Sequence, residues 1–162
     1  MPDYPRPGVT FQDVTPVFQD ARLLRDLVDQ VADFARPYKP DVVAAVDARG
    51  FVLGGALAHA LGCGIVLLRK KGRLPRATYE ISVTSEYNSE TLEIHRDAFH
   101  GPARRVLLHD DVLAVGGCSS GCTSLIERAG GMVVAAAFIL EIAALDGRAQ
   151  LGQIPVHSAA QC

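Results

Sequence analysis

The sequence predicts an α/β fold in which a parallel sheet is flanked by helices. Short apolar runs that end in charged residues and glycine alternate along the chain with segments of helical periodicity. This order is typical of strands that are buried on both faces of a parallel sheet. The 162 residues are 49% hydrophobic and 21% charged, the composition of one compact domain with its own core. We therefore expect a single domain over residues 1–162.

The first predicted element is an amphipathic helix over residues 20–36, DARLLRDLVDQVADFAR. Asp20 is a suitable cap and Pro37 stops the helix. Apolar side chains at helical spacing form its inner face: Leu23, Leu24, Leu27, Val28, Val31 and Phe34. Two strands follow at 41–50 and 64–72, with a short helix over 54–62 between them.

The second half of the chain continues the alternation of strand and helix. Residues 105–122, RVLLHDDVLAVGGCSSGC, begin as an apolar strand that ends in two carboxylates. A glycine pair and a helix from about Ser119 to Ala129 come next, and a further strand covers 132–141. The segment 78–95 is β-branched, polar and charged. It predicts a solvent-facing hairpin or a mobile loop outside the parallel core.

The composition argues against several classes of partner. Sixteen basic and 18 acidic residues give a formal net charge of −2, which disfavours binding of nucleic acid or an anionic membrane through charge alone. No apolar run reaches the length of a membrane span, and the first residues lack the layout of a secretory signal. The four cysteines form no CxxC pair, which indicates free thiols in a reducing compartment and no zinc site. The protein is therefore expected to be cytoplasmic and to act on a small molecule.

Charged residues and glycines follow three of the predicted strands, and the strand ends of a parallel sheet meet in one crevice. The glycine pair at 116–117 offers backbone N–H groups and a helix N-terminus to a phosphate monoester. Asp110 and Asp111 can accept hydrogen bonds from sugar hydroxyls or from water bound to magnesium. Arg49 and the basic cluster at 69–73 supply positive charge for a second anion, such as pyrophosphate.

Each of these features also has an ordinary structural explanation. Two acids after a strand are often a solvated turn or a helix cap, a glycine pair is often only a tight turn, and a basic cluster is usually exposed surface. Their common position at successive strand ends favours the functional interpretation. Together they fit a ribose that carries phosphate and pyrophosphate groups, and by themselves they indicate a nucleotide or a sugar phosphate as the ligand class.

Six ordered segments resemble the adenine phosphoribosyltransferases, a branch of the type I phosphoribosyltransferases. They are PGVTFQDVTP (7–16), DARGFVLGGALAHALG (47–62), LLRKKGRLP (67–75), SEYNSETLEIHRDA (85–98), VLLHDDVLAVGG (106–117) and PVHS (155–158). The resemblance implies the type I phosphoribosyltransferase fold with a mobile hood hairpin over the site, and a homodimer. It also implies transfer of ribose 5-phosphate from phosphoribosyl pyrophosphate to adenine, with Mg²⁺ bound mainly through the substrate.

The resemblance further implies which residues bind the substrates. Arg49, Arg69 and the neighbouring Lys70 would meet the pyrophosphate, and Val9 and Phe11 would lie near the purine base. The phosphoribosyl turn would hold the 5-phosphate, and its residues are Ala114, Val115, Gly116, Gly117 and Cys118.

Three acidic residues would act in catalysis. Asp110 and Asp111 would hold the ribose hydroxyls, and Glu86 in the hood loop would approach the purine and the leaving group during transfer. A lid of this kind keeps water away from an oxocarbenium-like transition state.

The phosphoribosyl turn departs from the family pattern, which usually reads Ala-Thr-Gly-Gly-Thr. Val115 and Cys118 stand at the two threonine positions, so both hydroxyl donors are absent. A hydrogen bond to a charged group contributes on the order of 1.5 to 3 kcal/mol. Ser119 or Ser120 could replace part of this loss. His109 stands where the family usually has a small aliphatic residue, and we interpret it as a strand histidine bonded to the backbone.

Three functional hypotheses follow. The first is a phosphoribosyltransferase that uses adenine, with backbone amides and Ser119 or Ser120 binding the phosphate. The second is a diverged enzyme, such as a hydrolase of a ribosylated metabolite in specialised biosynthesis, that no longer uses phosphoribosyl pyrophosphate; the altered turn favours it. The third is a non-catalytic nucleotide sensor. We favour the first because the resemblance extends along nearly the whole chain.

Overall fold

The computed structural model of the chain describes residues 13–84, 89–101 and 104–162, and these form a seven-stranded sheet between two layers of helices. The strand order is β3-β4-β2-β1-β5-β6-β7, numbered along the chain. The first elements are helix α1 (Thr15–Gln19), helix α2 (Ala21–Ala35), a 3₁₀ turn (Arg36–Tyr38), strand β1 (Val42–Val46), helix α3 (Gly50–Leu61) and strand β2 (Gly64–Lys70).

The hairpin and the second half of the parallel sheet follow. They comprise β3 (Thr78–Thr84), β4 (Ser89–His95), β5 (Arg104–Leu113), α4 (Gly117–Arg128), β6 (Gly131–Glu141), 3₁₀ turns at Ala143–Leu145 and Gly147–Leu151, and β7 (Val156–Gln161). The predicted α/β class with a parallel core and a hairpin beside it is therefore confirmed.

The parallel part of the sheet consists of β2, β1, β5, β6 and β7, with β1 in register against both β2 and β5. The hairpin β3-β4 is antiparallel and pairs with this core at the end of β2, where Arg69 and Lys70 pair with Glu93 and Leu92. The hairpin therefore begins beside the carboxyl end of β2.

Two apolar clusters fill the two faces of the sheet. On one face α2 and α3 pack against the strands, with Val31, Leu53 and Leu57 fully buried. On the other face α4 and the hairpin cover the sheet around Phe138 and Leu108. The amphipathic pattern of the sequence thus places helices on both sides, as the predicted fold requires.

The helix predicted at 20–36 is confirmed, and so is its cap. The Asp20 carboxylate accepts hydrogen bonds from the backbone N–H groups of Arg22 (2.8 Å) and Leu23 (3.0 Å). These bonds satisfy two of the donors that a helix N-terminus leaves unpaired. The prediction is wrong for Leu23, whose side chain was expected on the inner face and is 51% exposed.

Several predicted boundaries also differ from the structure. β1 ends at Val46, and the charged residues after it form a turn. α3 begins at Gly50, four residues before its predicted start, and β5 continues past the two aspartates to Leu113. The expectation that β2 is buried on both faces is wrong, because its first half pairs only with β1 and leaves Ile65 and Leu67 exposed.

Among the described residues, no helix combines the length and the apolar character that a membrane crossing requires.

Candidate active site

A pocket of about 620 Å³ opens at the carboxyl ends of β2, β1 and β5, where the loops that follow these strands meet. Its wall contains ten of the residues singled out in the sequence: Arg49, Arg69, Lys70, Asp110, Asp111, Ala114, Val115, Gly116, Gly117 and Cys118. The common crevice that was expected from the strand order therefore exists. The other predicted site residues, Val9, Phe11 and Glu86, lie outside the described residues.

The basic part of the wall comes from the end of β2. The Arg69 guanidinium donates from Nε to the Asp47 carboxylate at 3.1 Å, and its Nη1 reaches the carbonyl oxygen of Arg73 at 3.5 Å. Lys70 forms an ion pair with Glu90 of the hairpin, with 2.6 Å between Nζ and Oε1. Each of these cations already has an acidic partner, so an anionic ligand would enter a preformed network of charges.

The acidic part of the wall lies on β5. Asp111 is buried and pairs with Arg49, which approaches it from the turn after β1. Although burial opposes it, the hydrogen bond to Asp111 and the charges of both aspartates raise the pKa of the Arg49 guanidinium.

Asp110 accepts a hydrogen bond from the backbone N–H of Asp111 at 2.8 Å. Desolvation by the surrounding protein, followed by the charge of Asp111, raises the pKa of Asp110 well above its ordinary value. Asp110 therefore holds a proton more readily than an exposed aspartate does.

The turn between β5 and α4 presents its backbone to the pocket. Gly116 has a φ of +79° and precedes the first residue of α4. A Cβ at this position would lie 2.2 Å from the carbonyl oxygen of Gly147, so both its conformation and its surroundings require glycine. The first turn of α4 consequently directs unpaired N–H groups and the positive end of the helix dipole toward the pocket.

Of the two serines that were expected to replace the missing hydroxyls, Ser119 lines the pocket. The residues given for the pocket wall do not include Ser120, whose carbonyl oxygen accepts a hydrogen bond from the Ser124 hydroxyl. The structure thus brings one of the two predicted serines to the pocket.

Cys118 faces the pocket from the first turn of α4, and Cys122 lies one turn below it in the core. A hydrogen bond from the Cys122 thiol lowers the pKa of Cys118, although burial and the charges of Glu90 and Asp111 oppose this. The Cys122 thiol has its own pKa raised by the same contact and by burial. All four cysteines of the chain lie within the described part and are free thiols.

His109 lies beside the acid pair in sequence but is buried in the sheet. Its Nδ1 is 2.8 Å from the carbonyl oxygen of Ala137, which confirms the interpretation of His109 as a strand histidine bonded to the backbone. Burial lowers the pKa of this imidazole to about 4, so it is neutral near pH 7.

Some residues of the wall were not predicted. Glu90 and Leu92 belong to the hairpin, and Ile142 follows the end of β6. Their position depends on the antiparallel pairing of β4 with β2 and on the β5-β6 pair, which no local pattern reveals. Arg73 also lines the pocket, and its place in the basic cluster at 69–73 was the signal that could have identified it.

A pocket with a basic side, an acid pair and a glycine turn at parallel strand ends defines a nucleotide or sugar-phosphate enzyme of the phosphoribosyltransferase class. The family model for the phosphoribosyl transferase domain matches residues 18–151. An adenine phosphoribosyltransferase of Rhodococcus jostii is 49% identical over 156 residues, which cover 96% of this chain and 87% of that protein.

Two solved structures show the same fold. The adenine phosphoribosyltransferase of Thermoanaerobacter pseudethanolicus has a TM-score of 0.94 at 38% identity. The match covers 100% of this chain and 94% of the Thermoanaerobacter protein. The adenine phosphoribosyltransferase of Giardia lamblia, complexed with 9-deazaadenine, has a TM-score of 0.95 at 34% identity. The match covers 100% of this chain and 92% of the Giardia protein. The chain belongs to the adenine phosphoribosyltransferase family.

Proposed function

We propose that the chain transfers the 5-phosphoribosyl group of phosphoribosyl pyrophosphate to N9 of adenine, which yields AMP and pyrophosphate. The observation that supports this most directly is the composition of the pocket wall at the strand ends. Across the sheet edge, it offers basic groups on β2, acids on β5 and then the glycine turn. These three groups match the pyrophosphate, the ribose hydroxyls and the 5-phosphate of that substrate.

The 5-phosphate would bind at the turn between β5 and α4. Val115 and Cys118 provide no hydroxyl, so backbone N–H groups and the helix dipole would provide most of the stabilisation. Ser119, the serine on the pocket wall, can add one hydroxyl donor.

The leaving group would bind among the cations of β2 and of the turn after β1. During transfer, N9 of adenine forms a bond to the anomeric carbon while the bond from that carbon to the pyrophosphate oxygen breaks. Negative charge develops on pyrophosphate, and Arg69, Lys70 and Arg73 would stabilise it. Arg49 would exchange its contact with Asp111 for a contact with the substrate.

Asp110 and Asp111 would orient the ribose through its hydroxyls, and the negative charge of Asp111 would stabilise the oxocarbenium-like sugar. Mg²⁺ would enter with pyrophosphate and neutralise part of its charge. Carboxylates of the pocket wall can accept hydrogen bonds from water bound to such an ion. The pocket wall includes the carboxylates of Asp47, Glu90, Asp110 and Asp111, whose oxygens suit a hard cation of this type. No cluster of three metal-ligating side chains occurs in the described part of the chain, which agrees with Mg²⁺ bound mainly through the substrate.

The remaining predicted roles concern residues outside the described ranges. We infer from the family resemblance that Val9 and Phe11 contact the purine. Glu86 lies between β3 and β4 in the sequence, and the second strand of that hairpin reaches the pocket through Glu90 and Leu92. This placement supports a role for Glu86 next to the purine and the leaving group when the hood closes.

We infer that the chain forms a homodimer through an exposed apolar surface on α3 and β2. Val52 is 50% exposed, and Ile65 and Leu67 are 41% and 36% exposed. Ile65 and Leu67 share one face of β2, and Ile65 approaches α3 at Gly54. Apolar side chains from two adjacent elements suit contact with a second copy of the chain. The four free thiols support the proposed cytoplasmic location.

The decisive assay supplies adenine, phosphoribosyl pyrophosphate and Mg²⁺ and measures AMP and pyrophosphate together. Wild-type protein should form both in equal amounts. Asp111→Asn removes a charged acceptor for the ribose and should lower kcat/KM by roughly 10- to 100-fold. Asp97→Asn is the matched control, because Asp97 pairs with Arg76 on the surface and does not line the pocket.

A parallel reaction without adenine separates transfer from hydrolysis. Loss of phosphoribosyl pyrophosphate at the same rate with and without adenine would show hydrolysis in place of transfer. The hydrolase hypothesis, an enzyme that no longer uses phosphoribosyl pyrophosphate, predicts no loss of this compound in either reaction. Folded protein that forms no AMP under any of these conditions would exclude the proposed transfer.

A further inference from the structure

The segment after β6 touches the phosphoribosyl turn through its backbone. A Cβ added to Gly147 would lie 2.0 Å from the carbonyl oxygen of Ala114 and 2.8 Å from the backbone nitrogen of Gly116. Ile142, at the start of the same segment, donates its N–H to the Leu113 carbonyl oxygen at 2.9 Å. The turn that faces the pocket therefore rests directly on residues 142–151, with no side chain between the two backbones.

The residue next to Gly147 fixes this segment to the sheet. Arg148 donates from Nε to Glu141 Oε1 at 3.0 Å and from Nη2 to Glu141 Oε2 at 2.6 Å. Its Nη1 donates to the carbonyl oxygen of Val156 at 2.9 Å. A single guanidinium thus joins the end of β6 and the beginning of β7 to the 3₁₀ turn that contains Gly147.

The burial, hydrogen bonding and charge of Glu141 favour a fixed ion pair with Arg148. It is 5% exposed and accepts a further hydrogen bond from Gln161 Nε2 at 3.0 Å. The hydrogen bonds from Arg148 lower the pKa of this carboxyl to about 2, so it stays ionised near pH 7. A bidentate arginine and carboxylate pair of this type fixes orientation as well as distance.

The position of the turn matters more in this chain because Val115 and Cys118 have no hydroxyl. Backbone N–H groups bind an anion well only when they point at it, and they cannot adjust by side-chain rotation. A small displacement of reacting or binding groups can weaken function by roughly 100-fold. Whatever fixes residues 114–117 therefore controls how well the turn holds a phosphate.

We propose that Arg148 and Glu141 are positioning residues for phosphate binding, acting through the contact of Gly147 with the turn at 114–116. They support the turn from behind and are absent from the pocket wall as described. The identity of the bound group as the 5-phosphate rests on the proposed function. The support of the turn by Arg148 follows from the geometry alone and does not depend on which group binds there.

The first experiment measures, in the absence of substrate, how often the turn at residues 113–119 opens. Amide hydrogen exchange in the peptide that spans residues 113–119 is compared in wild type, Arg148→Met and Arg148→Lys. The Met variant should exchange roughly tenfold faster in this peptide, because its turn opens more often. Lys keeps the charge but not the bidentate contact, so it should restore only part of the protection. Arg36→Met, at an exposed arginine paired with Asp33 on α2, is the control and should leave the peptide unchanged.

The second experiment uses the reaction. Arg148→Met should raise the KM for phosphoribosyl pyrophosphate and the Kd for AMP by roughly tenfold. The Kd for pyrophosphate alone, which does not occupy the turn, should stay within about twofold of wild type. Glu141→Gln should resemble Arg148→Met, and the double variant should be little worse than either single one.

Several results would overturn the inference. They are unchanged exchange at 113–119 in folded Arg148→Met, equal weakening of pyrophosphate and AMP binding, or additive effects of the two substitutions. Failure of the proposed function is a separate result: wild type would then form no AMP, whatever the exchange data show. If Arg148→Met does not fold, Arg148→Lys and Glu141→Gln are compared with wild type in the same exchange and binding measurements.

Discussion

At the scale of single residues, the phosphoribosyl turn illustrates how two side chains can differ from the family pattern while the backbone still forms a glycine turn before a helix. Two threonine positions of the family pattern hold Val115 and Cys118, yet Gly116 keeps its positive φ and α4 begins at the next residue. The backbone N–H groups and the helix dipole do not depend on the side chains at 115 and 118. The turn can therefore bind an anion with fewer side-chain donors, provided that its backbone is held in place.

His109 carries a testable consequence for stability. Its pKa in the folded protein is about 4, whereas the ordinary value is 6.5. Between these values the unfolded chain binds a proton that the folded chain does not, so the free energy of unfolding falls as the pH is lowered. The loss attributable to this group starts near pH 6.5, is complete near pH 4, and amounts to about 3 kcal/mol.

His109→Leu removes this titration and should flatten the pH dependence. Urea unfolding of both proteins between about pH 7 and about pH 4 gives the difference directly. Other groups, including Asp110 and Glu141, are common to both proteins and cancel in the comparison. Curves that stay parallel over this range would show that His109 does not titrate as described.

At the scale of elements, Glu93 connects the hairpin to the basic part of the pocket. This glutamate of β4 is 3% exposed, and its Oε1 accepts hydrogen bonds from the N–H groups of Arg73 and Leu74, both at 2.8 Å. Although burial opposes it, these backbone hydrogen bonds lower the pKa of the Glu93 carboxyl. The turn after β2, which presents Arg73 to the pocket, is thus held by an acid from the neighbouring strand.

Glu93→Ala should therefore loosen that turn. We expect a loss of about 1 to 2 kcal/mol in the free energy of unfolding and a higher KM for phosphoribosyl pyrophosphate. Glu93→Gln keeps an acceptor oxygen and should be closer to wild type. Asp33→Ala on α2 is the control, since Asp33 pairs with the exposed Arg36 side chain, away from this turn. If Asp33→Ala and Glu93→Ala have the same effect in urea unfolding and steady-state kinetics, the turn does not depend on Glu93.

The elements also show what could be predicted from the sequence. Local patterns suffice where the signal is local: Asp20 caps α2, and the glycine turn precedes α4. Local patterns fail where a tertiary contact determines which residue is present. Gly147 is glycine because a Cβ there would collide with the carbonyl oxygen of Ala114, and nothing in residues 142–151 indicates that contact. For the same reason the pocket residues next to strand ends were predicted, whereas Glu90 and Leu92 of the hairpin were not.

At the scale of the whole molecule, one strand links the proposed dimer surface to the pocket. Ile65 and Leu67 lie on the exposed half of β2, and Arg69 and Lys70 lie at its other end, in the pocket wall. A partner that covers the first half of β2 would restrict the motion of the second half. Association and substrate binding are therefore expected to support each other.

This argument gives a prediction for oligomeric state. Ile65→Asp places a charge in the proposed interface, where it would be desolvated without a partner, and should convert a dimer into a monomer. Light scattering after size-exclusion chromatography measures the mass, which should fall from twice that of one chain to once. Met132→Asp is the control, since Met132 is 44% exposed on β6, away from α3 and β2.

The dimer should also have a melting temperature that rises with protein concentration, because dissociation accompanies unfolding. A wild-type chain that is monomeric at all concentrations, or a dimer that Ile65→Asp leaves intact, would contradict this surface as the interface.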